Sequence, residues 1–305
     1  MVKVSVIIPT YKRSEFLLRA LDSVLNQTWE NIEAVIVDDN GEGSPYREAT
    51  QASLETYAGD SRVVRVLNAR NMGGALARNE GIAAASGEYI TFLDDDDIYL
   101  PDKVRVQVEA MLAHGWDMCF TDCDVHDNED RVVDRRVHNV DPEPDNEKLL
   151  VRHLVEPLTP TDTYMYRADA LRKIGCFDDV LTAQEYLLML KTITNGLKIG
   201  YLHLSHVVQY IHDGERMSFG KNKVAGETYL LKVKRKYFHL LTPAQRRFIV
   251  CRHHAVLFFA TLKRHEYGAA LKHMVLAGLT SPATSLKIFL DKKRMLKVDA
   301  PKDAK

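Results

Sequence analysis

The sequence predicts an open α/β sheet with helices on both faces, followed by a basic helical extension. Three observations predict it. Short, near-continuous apolar runs alternate with amphipathic segments through the first hundred residues, the pattern of buried parallel strands joined by helices. Polar residues gather directly after those runs, where open α/β sheets bind their ligands. Charge is also divided unevenly: residues 228–298 hold 15 Lys and Arg against two acids, Glu266 and Asp291, whereas residues 1–227 hold 24 against 38. Two regions with different partners are therefore expected. The composition, 46% hydrophobic and 27% charged, fits a folded chain and excludes a disordered or collagen-like one.

Residues 4–8, 34–37, 63–67 and 89–93 are apolar runs of strand length. Leu17, Leu21 and Val24 recur at helical spacing after Ser14, which suits an N-cap, and the alanine-rich residues 75–85 favour helix. A helix is expected from Pro101 to His114, then a strand over 117–121 and a weakly periodic polar stretch to Asn146. Order returns at 161–166 and 168–174. A helix is expected from Gln184 to Thr194, stopped by Asn195-Gly196, followed by strands over 199–202 and 207–211. From Lys221 onward the pattern is helical, punctuated by Thr242-Pro243 and Ser281-Pro282, each a cap followed by a first-turn proline. The expected division is a sheet domain over 1–225, a basic amphipathic helical region over 226–298 and a tail over 299–305.

The N-terminal MVKVSVIIPTY is too short for a signal peptide with its cleavage site. No apolar stretch approaches the roughly 18 residues of a bilayer span; the best is residues 255–262. Cys119, Cys123, Cys176 and Cys251 form no zinc-like pairs and are too sparse for a disulfide framework. Reduced thiols and a cytoplasmic location are the expectation.

Chemistry concentrates in three places. Asp94, Asp95, Asp96 and Asp97 follow the fourth apolar run. Carboxylates this close repel one another and suit Mg²⁺ or Mn²⁺, ions that share their coordination with substrate phosphates; the plain alternative is an acidic helix start ahead of Pro101. Asp38 and Asp39 end the second run, where an acid can accept from a ribose or base, although Asp39-Asn40-Gly41 also reads as an ordinary turn. In NMGGALARNEG, residues 71–81, glycines permit close backbone approach and Arg78 can pair with a phosphate or with the aspartates.

With PTYKR at residues 9–13, VDDN at 37–40 and GEYITFLDDDDIYLPDK at 87–103, these segments stand in the order and spacing of glycosyltransferase family 2. The chain resembles that inverting family over roughly residues 3–220, and RADALRKIGCFDDVLTAQEYLLMLK, residues 167–191, resembles its acceptor-side region. The resemblance implies the GT-A fold, a Rossmann-like mixed sheet with helices on both faces, and transfer of a single sugar from a nucleotide diphosphate, UDP most commonly. It implies that Pro9, Thr10, Tyr11, Arg13, Asp39, Asn71, Gly74, Arg78, Asp94 and Asp95 bind the donor nucleotide. Asp94 and Asp96 match the Asp-x-Asp element, so a Mn²⁺ or Mg²⁺ ion on Asp96, Asp94 and His212 is implied, with Asp95 a close substitute for Asp96. The family's catalytic base is the acid of a Gln-Asp or Glu-Asp pair; here the pair is Gln184-Glu185, one methylene longer. Processive relatives carry Gln-x-x-Arg-Trp and membrane helices. This chain has tryptophan only at Trp29 and Trp116.

The expected acceptor is a hydroxyl of a glycan or polyprenyl-linked glycan, as in O-antigen, capsule or other surface polysaccharide synthesis. Residues 231–238, 246–262 and 271–290 interleave Lys and Arg with apolar residues; they either lie on an anionic membrane surface or pack on the sheet domain with a solvated basic face. No nucleic-acid motif accompanies the charge. A homo-oligomer is allowed by the sequence. Two competing readings are a sugar-nucleotide nucleotidyltransferase, for which PTYKRSEF is a poor triphosphate loop, and an inactive glycan-binding scaffold of the same fold.

Overall fold

The computed structural model describes residues 1–211 and 221–298. Two compact units divide the chain: Met1–Leu150 with Leu158–Asp213, and Val151–Pro157 with Gly214–Lys305. In order, the elements to residue 211 are β1 (Val4–Thr10), α1 (Ser14–Leu25), β2 (Ile32–Asp38), α2 (Pro45–Leu54), β3 (Val63–Leu67), α3 (Gly74–Ala84), β4 (Tyr89–Phe92), β5 (Ile98–Tyr99), α4 (Lys103–His114), β6 (Met118–His126), β7 (Val132–Arg136), α5 (Asn146–Val155), β8 (Met165–Arg167), α6 (Ala168–Lys173), α7 (Gln184–Thr194) and β9 (Ile199–Tyr210).

The sheet runs β3-β2-β1-β4-β8-β6-β9-β5, with β7 on β6. Strands β1 to β4 pair in parallel, whereas β8 is antiparallel to both β4 and β6. The sheet is therefore mixed. Continuous apolar runs dictate burial on both faces, and alternate residues divide accordingly: Ile7, Val35, Val37, Ile90 and Phe92 join one core, while Val6, Ile8, Ala34, Ile36 and Tyr89 join the other. The strand order reverses between β1 and β4. The crevice at that switch point lies beyond the carboxyl ends of both strands, where Thr10–Arg13 and Asp94–Asp97 stand.

Several elements depart from the sequence expectation for identifiable reasons. Strands over 199–202 and 207–211 are one strand, β9, which follows β6 with register shifts near Asp122 and Asp124. β7 escapes notice because all five residues are exposed and carry no alternation. β5 and β8 are too short to show a period. Ser14 opens α1 as its first residue, and Arg13 takes the cap position without a side-chain hydrogen bond.

Gly81 explains the end of the NMGGALARNEG segment. A Cβ there would stand 2.5 Å from Ile7 Cγ2 and 3.0 Å from Val37 Cγ2, so only glycine lets α3 lie this close to β1 and β2.

Glu33 is a buried acid, 3% exposed, on β2. Its carboxylate accepts from Ser5 Oγ at 2.5 Å and from the Ser86 backbone N–H at 2.7 Å, and pairs with Lys3 Nζ at 2.5 Å. Burial opposes the charge, but the donors outweigh it and hold the carboxyl at about 2, below its ordinary 4.5. Because the folded value is depressed, the contribution is present above pH 4.5 and is lost as the pH falls toward 2. Glu33→Gln is expected to cost about 2–3 kcal/mol at neutral pH. In urea melts the gap between variant and parent should narrow by more than half between neutral pH and pH 3; a constant gap would refute the account.

The second unit is helical among its described residues: α8 (Lys221–Arg235), α9 (Pro243–Lys263), α10 (Tyr267–Thr280) and α11 (Pro282–Val298). Thr242 caps α9 in a reciprocal box with Gln245, ahead of Pro243 at the first turn. Among the described residues, no helix is long and apolar enough to cross a membrane.

Candidate active site

The turn after β4 sorts its aspartates by direction. Asp97 N–H donates to Asp94 O at 3.1 Å, closing the turn, and Asp95 and Asp97 are buried while Asp94 and Asp96 are partly exposed. Asp96 Oδ2 pairs with Arg13 Nη1 at 2.5 Å, and Asp95 Oδ1 stands 3.5 Å from the same nitrogen. Asp94 instead pairs with Arg78 on α3. Asp97 accepts from the Tyr210 N–H at 2.9 Å and from Gln209 Nε2 at 3.1 Å.

A fourth acid joins them. Asp162, in a short turn before β8, accepts from the Asp94 N–H at 2.9 Å and from Gln209 Nε2 at 2.8 Å. Oxygens of Asp94, Asp97 and Asp162 lie within 4.8 Å of one another. Octahedral oxygens at about 2.1 Å from an ion span up to about 4.2 Å, so a small contraction would enclose a divalent cation. The electrostatics agree with that fit. Burial, then the charge of Asp162, pushes Asp97 well above the carboxylate range, and burial, then Asp94, pushes Asp162 up. Burial and the adjacent Asp96 raise Asp95 to about 7, against the Thr10 hydroxyl and Arg13. Such a group of acids calls for positive charge.

Arg78 ties the site together. Its guanidinium holds Asp94 and donates through Nη1 to Gln184 Oε1 at 3.0 Å and to Gly74 O at 3.1 Å. Burial opposes its charge; Asp94, Asp162 and, more weakly, Glu185 restore it. Glu185, partly buried, follows Gln184 in the first turn of α7. The residue ahead of that helix, Ala183, has φ 63°, and Lys12 in the β1 loop has φ 59°. Left-handed non-glycine residues cost about 1–2 kcal/mol, and strain of this kind clusters at functional sites.

The remaining sequence candidates fall around the same crevice. Pro9 and Thr10 end β1, and Tyr11 is 39% exposed with Lys12 Nζ 5.0 Å from its ring centre. Lys12 Nζ also lies 5.1 Å from the ring of Tyr46. The Asp39 carboxylate accepts from Asn68 Nδ2 at 2.8 Å and from the N–H groups of Met72 and Gly73, both at 2.9 Å, so it anchors the glycine loop. Asn71 Nδ2 reaches Asp39 O at 3.4 Å. Asp38 is fully engaged by Asn40, Arg47 and Gln51 and faces the fold. His212 lies outside the described residues.

Sequence reasoning missed Asp162 and Gln209. An acid inside Thr-Pro-Thr-Asp-Thr reads as a turn residue, and Gln209 is one of several polar residues of β9, with His203, Ser205 and His206, so neither carried a signal. Lys103 was likewise passed over: it is fully buried, bonded to the Thr91 hydroxyl, with Nζ 3.9 Å from the Tyr99 ring centre. Burial lowers it to about 7.

A family model described as Glycosyl transferase family 2 matches residues 5–175, more than half of the chain. An uncharacterized glycosyltransferase of Rickettsia felis is 43% identical over 114 residues, 37% of this chain and 18% of that protein. The UDP-Glc:alpha-D-GlcNAc-diphosphoundecaprenol beta-1,3-glucosyltransferase WfgD of Escherichia coli is 31% identical over 125 residues, 41% of this chain and 47% of WfgD. The chain thus spans less than half the length of either relative. Among solved structures, S. aureus TarS 1–349 in complex with UDP-GlcNAc matches with a TM-score of 0.60 at 20% identity, over 90% of this chain and 72% of that one. That likeness is one of fold.

Proposed function

The chain belongs to glycosyl transferase family 2 and has the GT-A fold, and on that premise we propose that it moves one sugar, with inversion, from a nucleotide diphosphate to a hydroxyl of a cell-envelope glycan or lipid-linked acceptor. The observation that carries the reading is Arg78. One guanidinium joins the aspartate turn after β4, the glycine loop of α3 and the start of α7, so donor-side and acceptor-side segments meet at one point.

Thr10, Tyr11, Arg13, Asn71, Gly74 and Asp95 line the nucleotide and diphosphate pocket in this reading. Asp39 keeps capacity for a base N–H, since a carboxylate has about four acceptor sites and three are used. Glu185 accepts the proton of the acceptor hydroxyl as its oxygen bonds the anomeric carbon and the nucleotide diphosphate departs. Asp94, Asp97 and Asp162 would hold a Mn²⁺ or Mg²⁺ ion, with Asp96 a further carboxylate available to it. The ion, when bound, neutralises charge developing on the departing diphosphate. Arg13 pairs with Asp96 and turns to the diphosphate when the donor arrives.

UDP is favoured as the nucleotide because WfgD is named for UDP-Glc and TarS is titled with UDP-GlcNAc; WfgD's diphosphoundecaprenol substrate favours a lipid-linked acceptor. A panel of UDP, GDP and dTDP sugars with Mn²⁺ is expected to raise the melting temperature for UDP sugars, by about 2.7 kcal/mol of stability at a hundred times Kd. The same donors should release nucleotide diphosphate when acceptor is added. No shift and no release with any donor would favour the inactive scaffold instead.

A further inference from the structure

The second unit carries a surface that the transfer reading does not use. α10, YGAALKHMVLAGLT, is apolar almost all round. Its buried positions are the small Ala270 and Ala277, and it lies against α9, where Cys251 Sγ is 3.6 Å from Ala277 O and His254 Nδ1 is 3.3 Å from His273 Nδ1. Five large side chains are therefore left outside: Tyr267 is 64% exposed, Leu271 57%, Met274 41%, Val275 49% and Leu279 78%. At about 100° per residue these five positions fall within an arc of about 140°. A surface helix of a globular protein shows the reverse arrangement. Leu286 and Leu290 on α11 are exposed as well, at 61% and 52%. Scattered apolar residues need no explanation, but a helix face made of them marks an interaction site.

Charge selects the occupant. Residues 228–298 hold 15 Lys and Arg against two acids, and Lys263, Lys272 and Lys287 are exposed on or beside the apolar stretch. A second copy would bring two surfaces of the same sign together. An anionic bilayer complements the charge and buries the apolar arc, with Tyr267 suited to the headgroup level. We infer that the outward face of α10, with Leu286 and Leu290 of α11, seats this protein on an anionic lipid surface. The inference does not depend on the transferase reading, and its test requires no turnover.

The test is flotation of the full chain with phosphatidylcholine vesicles, with and without about one-third phosphatidylglycerol. Binding is expected to be at least about tenfold tighter with the anionic lipid and to weaken as salt is raised. Leu271→Glu with Leu279→Glu is expected to lower it at least about tenfold, with the helical circular dichroism and the melting temperature without vesicles unchanged. Lys272→Glu with Lys287→Glu, which spares the apolar arc, is expected to reduce the preference for anionic lipid. Equal or absent binding to both vesicle types would overturn the inference. So would a lipid-free dimer that the leucine variant converts to monomer, because a second copy would then cover the face.

Discussion

Glu185→Gln is expected to lower turnover by about 10²- to 10⁴-fold, the range that a positioned general base contributes, while donor affinity stays within about twofold. The two expectations rest on different contacts. Gln184, not Glu185, makes the hydrogen bond to Arg78, so the amide substitution leaves the link from α7 to the aspartate turn intact. Glutamine keeps the size of glutamate but has no proton affinity at neutral pH. Glu185→Asp restores the acid with an arm one methylene shorter, and partial recovery of rate is expected, because the family pattern puts Asp at this position. Single-turnover rates with saturating donor, alongside donor titrations, separate the effects. A glutamine variant with near-parental turnover would remove Glu185 from the role.

How far the site was legible depended on which residues carried local signals. The acid run was legible because it follows a buried strand directly, and four adjacent charges at a strand end are costly without a cation. The glycine segment was legible as a close approach, and Gly81 on Ile7 and Val37 gives the reason. The pairing of Asp38 with Asp39 misleads from sequence alone. Asp38 is consumed by Asn40, Arg47 and Gln51, whereas Asp39 reaches 33 and 34 residues ahead to anchor Met72 and Gly73. Asp162 and Gln209 were not legible because their meaning is tertiary. One sits in a turn before a three-residue strand and the other points inward from β9, and only the β4-β8-β6-β9 order brings them to the acids. The strained Ala183 that turns the chain into α7 has no sequence signature at all. In the second unit the basic, apolar composition was plain, but which side of α10 faces outward was not, since Ala270 and Ala277 are no less apolar than Leu271.

The aspartates can be separated by the conditions under which each matters. Asp96 is paired with Arg13 at 2.5 Å, while Asp94, Asp97 and Asp162 face one another. Mn²⁺ at a hundred times Kd is then expected to stabilise the parent by about 2.7 kcal/mol. Asp96→Asn should keep most of that shift, and Asp162→Asn should lose it, because a ligand is gone and the carboxamide nitrogen meets Gln209 Nε2 donor to donor. Adding UDP changes the comparison. Its diphosphate competes for Arg13 and releases Asp96, so UDP should tighten Mn²⁺ binding in the parent and fail to do so in Asp96→Asn. The coupling is reciprocal, so Mn²⁺ should tighten UDP by the same factor. Transfer is expected to stop on chelation and to return with Mn²⁺ or Mg²⁺. If Asp96→Asn abolishes the shift before any nucleotide is added, or Asp162→Asn retains it in full, the ion is held by the Asp94-Asp96 pair that the sequence suggests, and the grouping around Asp162 has another purpose.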